Sequence, residues 1–231
     1  MKTLFFSIAI LLEAGCSNAQ IKLARTQASV TEESRFRSCP DDPQKQTVRS
    51  NELQEIVAAD QADRQIPGDQ IDWNRVSAAD EARAKRVAEI FAEGCFKTSK
   101  DYTAAALVFQ HGVVPDHYYQ AYLWSKKALD LGDQTQKMMV ANAIDRYLMS
   151  LGYKQIFGAQ SYRNGPHGCH CLGPTESKFP DKTRIRVCGR SLKDRIRSLR
   201  DENKSDSSCA DVLYCDTDLK VPPKGLFPGI W

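Results

Sequence analysis

The chain has 231 residues, 42% apolar and 26% charged, the balance of an ordinary globular protein and not of a disordered or fibrous one. Its formal net charge of +3 is too small to argue for a nucleic-acid partner, and none is expected. The length suffices for one real core with a smaller appended module.

The N-terminus carries the clearest local signal. Lys2 is followed by an apolar run from Leu4 to Leu12, interrupted only by Ser7. The run falls short of the roughly 20 residues that span a bilayer, and with small residues after it, residues 1–19 read as a secretory signal. Two processing routes stay open. Ser17-Asn18-Ala19 ahead of Gln20 suits ordinary cleavage, whereas Ala14-Gly15-Cys16 resembles the end of a lipobox, with Cys16 as the lipidation candidate. Glu13 stands where a lipobox wants leucine. The expectation is an exported protein, periplasmic or membrane-anchored by lipid at Cys16 alone. Cys39, Cys95, Cys169, Cys171, Cys188, Cys209 and Cys215 remain beyond that point, an odd number that disulfides within one chain cannot exhaust. In an oxidising compartment disulfides are their default state.

Residues 20–48 look like a tether, rich in polar residues and broken by Pro40 and Pro43, with Cys39 as a point of attachment to the body. Helical signals then become regular through residues 49–160. Ser50 is placed to cap a helix carrying Leu53, Ile56 and Val57 and ending before Pro67-Gly68. Asp72 caps a second helix, with Val76, Val87, Ile90 and Phe91 on one face and Gly94 as its stop. Thr98-Ser99-Lys100-Asp101 is a capping box for a third helix, through about Gln110. Pro115-Asp116 opens a fourth, stopped at Gly132, and a fifth runs from about Gln134 to Leu151. The predicted fold is mainly α: a compact five-helix domain followed by a loop-rich, disulfide-stapled segment at 161–231. Within that segment, Thr183–Val187 alternates like a short strand and Ser191–Arg200 suits a helix. Phe227, Ile230 and Trp231 are expected to dock on the body.

Polar residues placed among the helices are the candidates for chemistry. Asp60-Gln61-Ala62-Asp63-Arg64 sets Asp60 and Arg64 four apart on one helix face. Gln110-His111 ends the third helix, Asp145-Arg146 sits among apolar positions of the fifth, and Gln155 and Gln160 bracket a glycine-containing loop. With Gln120, these residues resemble a family of bacterial proteins of unknown function that carry a DQ-x-x-R helix, a QH pair, a DR helix and a terminal GQ-x-YGTQ segment. The likeness covers about residues 50–160, with KQIFGAQ at Lys154–Gln160. The family's tyrosine is Phe157 here and its threonine is Ala159, so two hydroxyls are absent. The resemblance implies an all-helical domain and brings no activity with it.

These residues admit two uses. Arg64 and Arg146 can clamp an anion, with Asp60 and Asp145 orienting them, His111 as the candidate catalytic proton carrier, and Gln61, Gln110, Gln155 and Gln160 as ligand donors. The same groups can instead lock helices together with no ligand, which is the favoured use because ion-pair networks commonly do so.

His167-Gly168-Cys169-His170-Cys171 packs four potential metal ligands into five residues. So tight a run cannot easily wrap one ion, so disulfides from Cys169 and Cys171 to two of Cys188, Cys209 and Cys215 are expected, with metal at Cys169, Cys171, His167 and His170 the minority reading. The basic stretch from Lys182 to Arg200 reads as a solvated helix face before a contact for anionic lipid or an acidic protein. Ala121 to Gly132 is similar to one copy of a Sel1-like helical-repeat signature, which implies close packing of a helix hairpin. No nucleophile–base signature, phosphate loop or zinc-protease motif occurs, so no cofactor is called for. The function expected is a cell-envelope module that binds a small anionic ligand or an envelope protein. The alternative is a small hydrolase or transferase acting on an anionic substrate through His111, Arg64 and Arg146.

Overall fold

Among the described residues, four of the seven helices start at a side-chain cap. The structure, a computed structural model of the chain, describes residues 39–67, 70–163, 168–215 and 218–231. The signal, Cys16 and the tether up to residue 38 lie outside the described residues, as does His167. Helix α1 (Pro43–Ala62) begins ahead of Ser50, because Asp42 accepts hydrogen bonds from the Gln44 and Lys45 amides and Pro43 supplies the first helical φ. The tether reading took Pro43 for loop punctuation, yet a proline directly after an aspartate is also a helix start. Cys39 is bonded to Cys95, which pins the chain where the sequence suggested.

The next four helices start close to where the sequence placed them, the first two of them at their predicted caps. Helix α2 (Trp73–Ala92) is capped by Asp72, and α3 (Ser99–Gln110) by a reciprocal box of Thr98 and Asp101. Helix α4 (Pro115–Asp130) has Pro115 in its first turn, and a single 3-10 turn at Gln134–Gln136 leads into α5 (Lys137–Ser150). Helix α3 packs on α1 and α4, and α4 on α5. Ala121 and Ala128 on α4 are fully buried, which lets the flanking helices approach closely. Between them the Trp124 ring meets Phe109 edge-on at 4.6 Å between centroids. The repeat-like signature is therefore hairpin packing.

The tail adds a two-stranded antiparallel pair, β1 (Ser161–Tyr162) with β2 (Cys171–Leu172), and helices α6 (Asp181–Cys188) and α7 (Leu192–Asn203). The strand expected at Thr183–Val187 is helical. Its alternating apolar residues do not mark the buried face: Ile185 is 53% exposed, whereas Arg184 and Cys188, four apart, are buried. Gly189, at φ 81°, ends α6 in the left-handed conformation. Disulfides Cys169–Cys209 and Cys171–Cys215 staple the tail, and the odd thiol is Cys188, buried.

One apolar core runs through body and tail, joining Leu53, Ile90, Ile144 and Leu148 to Phe157, Phe179 and Phe227. Phe227 meets Tyr122 and Tyr147 edge-on, and Trp231 stacks on Phe179 at 4.9 Å. Arg184, 1% exposed, is the largest fully buried side chain among the described residues. Its guanidinium donates to the carbonyls of Ile156, Phe179 and Glu176 and to Asp181, with Phe179 beneath it. A buried cation satisfied by four acceptors is a structural peg. Arg195, also in the basic stretch, is 5% exposed and pairs with Glu202. The stretch is thus not wholly a solvated face.

Candidate functional site

The residues singled out by sequence fall into two adjoining polar groups. The first lies where α1, α2 and the end of α3 meet. Asp60 is fully buried. Its carboxylate accepts from Gln61 Nε2 at 2.7 Å and Arg64 Nη1 at 3.1 Å, and His111 Nδ1 lies at 2.9 and 3.0 Å from its two oxygens. Burial alone would raise the Asp60 pKa, but the hydrogen bond and charge of His111, with Gln61 and Arg64, hold it below the usual value. An ionised carboxylate only accepts, so Nδ1 of His111 carries the hydrogen in this pair.

Arg64 is not free to clamp a ligand from this position. Its second nitrogen donates to Asp80 on α2 at 2.5 Å, and Asp80 also accepts from Arg83 at 2.9 Å. Arg83 reaches on to Asp63, which pairs with Arg75 as well. Three aspartates and three arginines therefore close a largely self-neutralising lattice between α1 and α2. Asp63, Arg75, Asp80 and Arg83 were missed as candidates. Asp80 and Arg83, three apart, mark one charged face of α2, but their partners on α1 exist only once the two helices pack.

The second group is built on α5 and the loop after it. Asp145 is fully buried and has no arginine in hydrogen-bond contact. It accepts instead from the backbone amides of Ile156 at 2.8 Å, Phe157 at 3.0 Å and Ala159 at 2.8 Å, which fixes the 156–159 turn. Burial pushes its pKa up to about 6, and the three amides hold it from going further. Gln155 bridges the loop to the tail, donating to the carbonyls of Gln160 and Gly173 while its oxygen accepts from the Gln160 amide. Arg146 donates to the Gln110 carbonyl and to Gln160 Oε1, and lies 5.8 Å from the Tyr118 ring. Gln160 reaches back to the Asn142 carbonyl at 3.3 Å. The expected pairing of Asp145 with its neighbour Arg146 is thus replaced by two separate anchors pointing to different partners. Phe157 and Ala159, the positions lacking hydroxyls, serve Asp145 through backbone N–H groups, a contact that does not depend on a side-chain hydroxyl.

The remaining candidates are otherwise engaged. Both cysteine sulfurs of the His-Cys run are in disulfides, which leaves no thiolate there for a soft metal, and His170 lies 3.6 Å from Glu202. Cys39, Glu93 and Cys95 cluster at ligand spacing, but that pair too is a disulfide. Chemically, the Asp60–His111 pair orients the imidazole with its Nδ1–H on the carboxylate, as proton-transferring dyads do. Among the described residues no hydroxyl or thiol hydrogen-bonds His111. A cavity of about 480 Å³ elsewhere in the fold is lined by none of the motif residues. No helix among the described residues is long and apolar enough to cross a membrane. No family model matches this chain, and comparisons with curated proteins and with solved structures find no match.

Proposed function

We propose that this protein is an exported binding or interaction module of the cell envelope whose DQADR, QH and DR residues hold helices together and perform no chemistry. One observation carries this reading: both buried motif carboxylates, Asp60 and Asp145, already have their acceptors filled by donors of the same chain. Buried charges satisfied internally are what a scaffold needs, and they leave nothing to turn toward a substrate. Export rests on the apolar run at Leu4–Leu12 and on six cysteines paired as three disulfides, the state of an oxidising compartment.

Catalysis on an anionic substrate, with His111 as acid or base, draws on the dyad geometry with Asp60. It fits less well, because Arg64 and Arg146 are committed to Asp60, Asp80, Gln110 and Gln160. Urea unfolding separates the two. His111→Ala and Arg146→Ala should each lose roughly 2–3 kcal/mol if the residues are structural. Unchanged or raised stability in both overturns the scaffold reading. Cell fractionation with mass analysis of the mature chain tests export. A product starting at Gln20, or at a lipidated Cys16, is expected in the envelope fraction, and an unprocessed cytoplasmic chain overturns it.

A further inference from the structure

Helices α4, α5 and α6 and residues 228–230 line an open hollow of about 480 Å³. That volume lies within the range of small-molecule sites, roughly 300–1,000 Å³. Its apolar lining residues are the enclosed ones, with Tyr122 and Val140 buried and Val187 and Ile230 half-buried. The cations lining it are exposed: Lys126 from α4, Lys137 from α5 and Arg186 from α6.

The charge balance at this mouth is uneven. Asp130 is the acid that lines the cavity, and it pairs with Lys126 at 3.0 Å. Arg186 donates to the carbonyl of Gly229 at 2.7 Å, which holds the C-terminal wall in place without neutralising its charge. Lys137 has no acidic partner among the described residues. Three cations thus face one carboxylate beside an apolar hollow. A wholly apolar ligand would leave that positive charge unanswered, and a small hydrophilic anion would leave the apolar wall wet.

From this pairing we infer that the cavity is a binding site for an amphiphilic carboxylate, its apolar body against Val140, Val187 and Ile230 and its charge at Lys137 and Arg186. The inference deepens the binding reading above and rests on it. Because the walls come from both the helical body and the tail, a bound ligand would brace one to the other.

Titration calorimetry with dodecanoate tests the site on the full mature chain. A single saturable site is expected, with dodecan-1-ol binding at least about tenfold more weakly because it lacks the charge. Lys137→Glu should weaken dodecanoate by about tenfold or more. That residue is exposed and unpaired, so folding should be unaffected, and a thermal melt of the variant checks this. Lys127→Glu, exposed on the same helix as Lys126 but outside the cavity lining, should bind as the parent does. Equal affinity for the acid and the alcohol, an unchanged Lys137→Glu variant, or no saturable binding overturns the site. The scaffold role of His111 and Arg146 would stand or fall separately, on the unfolding measurements.

Discussion

His111 Nδ1 lies 2.9 and 3.0 Å from the two oxygens of Asp60, a carboxylate without solvent exposure that also receives Gln61 and Arg64. The imidazole crosses from the end of α3 to α1, so it joins helices far apart in sequence. Removing it strands part of a buried charge. His111→Ala should therefore cost roughly 2–3 kcal/mol in urea unfolding. In His111→Ala combined with Asp60→Asn the loss should be less than the sum of the two single losses, since the stranded charge is gone. Full additivity would show that the two side chains do not interact.

Asp145 and Asp60 should titrate in opposite senses. The Asp145 pKa is raised from 3.8 to about 6, so the folded protein takes up this proton before the unfolded chain does. Its contribution to stability is most favourable below pH 3.8 and declines as pH rises from there to about 6. Asp60 is depressed, so its stabilising contribution is present above the ordinary carboxylate value and is lost as pH falls through its folded value. Carbon-detected NMR titration of the side-chain carboxyls should show a midpoint near 6 for Asp145 and one below the ordinary aspartate range for Asp60. A midpoint for Asp145 at or below 3.8 would mean that its three amide donors outweigh burial.

Arg184 tests how the tail is held. The guanidinium fork serves three carbonyls and Asp181 at 2.7–2.8 Å, a geometry an ammonium cannot reproduce. Arg184→Lys should lower stability by about 3 kcal/mol or more despite the retained charge. Limited proteolysis should then cut within 161–231 faster than in the parent protein. Parent-like stability would show that charge alone suffices.

Thiol chemistry provides an independent check on connectivity. Among the described residues Cys188 is the free cysteine, and it is buried, with its pKa raised by desolvation. Iodoacetamide should leave the native mature protein unlabelled, and should modify a single thiol, at Cys188, once the chain is unfolded without reductant. Chain-entropy arguments give each disulfide about 4 kcal/mol, so a Cys171→Ala, Cys215→Ala double variant should be markedly destabilised. Labelling at Cys209 or Cys215 in the unfolded, unreduced protein would contradict the pairing.

The five body helices were legible because their ends are local: Asp72, Thr98 with Asp101, and Pro115 act within one turn of themselves. Asp42-Pro43 carried the same kind of signal, hidden by polar surroundings. The motif residues were legible as a set, but not in their partners. Nothing in the sequence places Asp80 against Arg64, or the amides of Ile156, Phe157 and Ala159 around Asp145, since those contacts exist only once helices and loop have packed. Arg184 shows the limit most clearly. In a run of basic residues it looks like one more solvated cation, and only the fold reveals which of them is enclosed.

The peg formed by Arg184 bears on how the molecule comes apart. Its acceptors belong both to the loop that Asp145 orders, at Ile156, and to the stapled tail, at Glu176 and Phe179. Opening either side exposes the same cation to the loss of its partners. Body and tail are therefore coupled in a single melting unit, and amides of α5 and α6 should exchange with solvent through the same global opening and not in two successive steps.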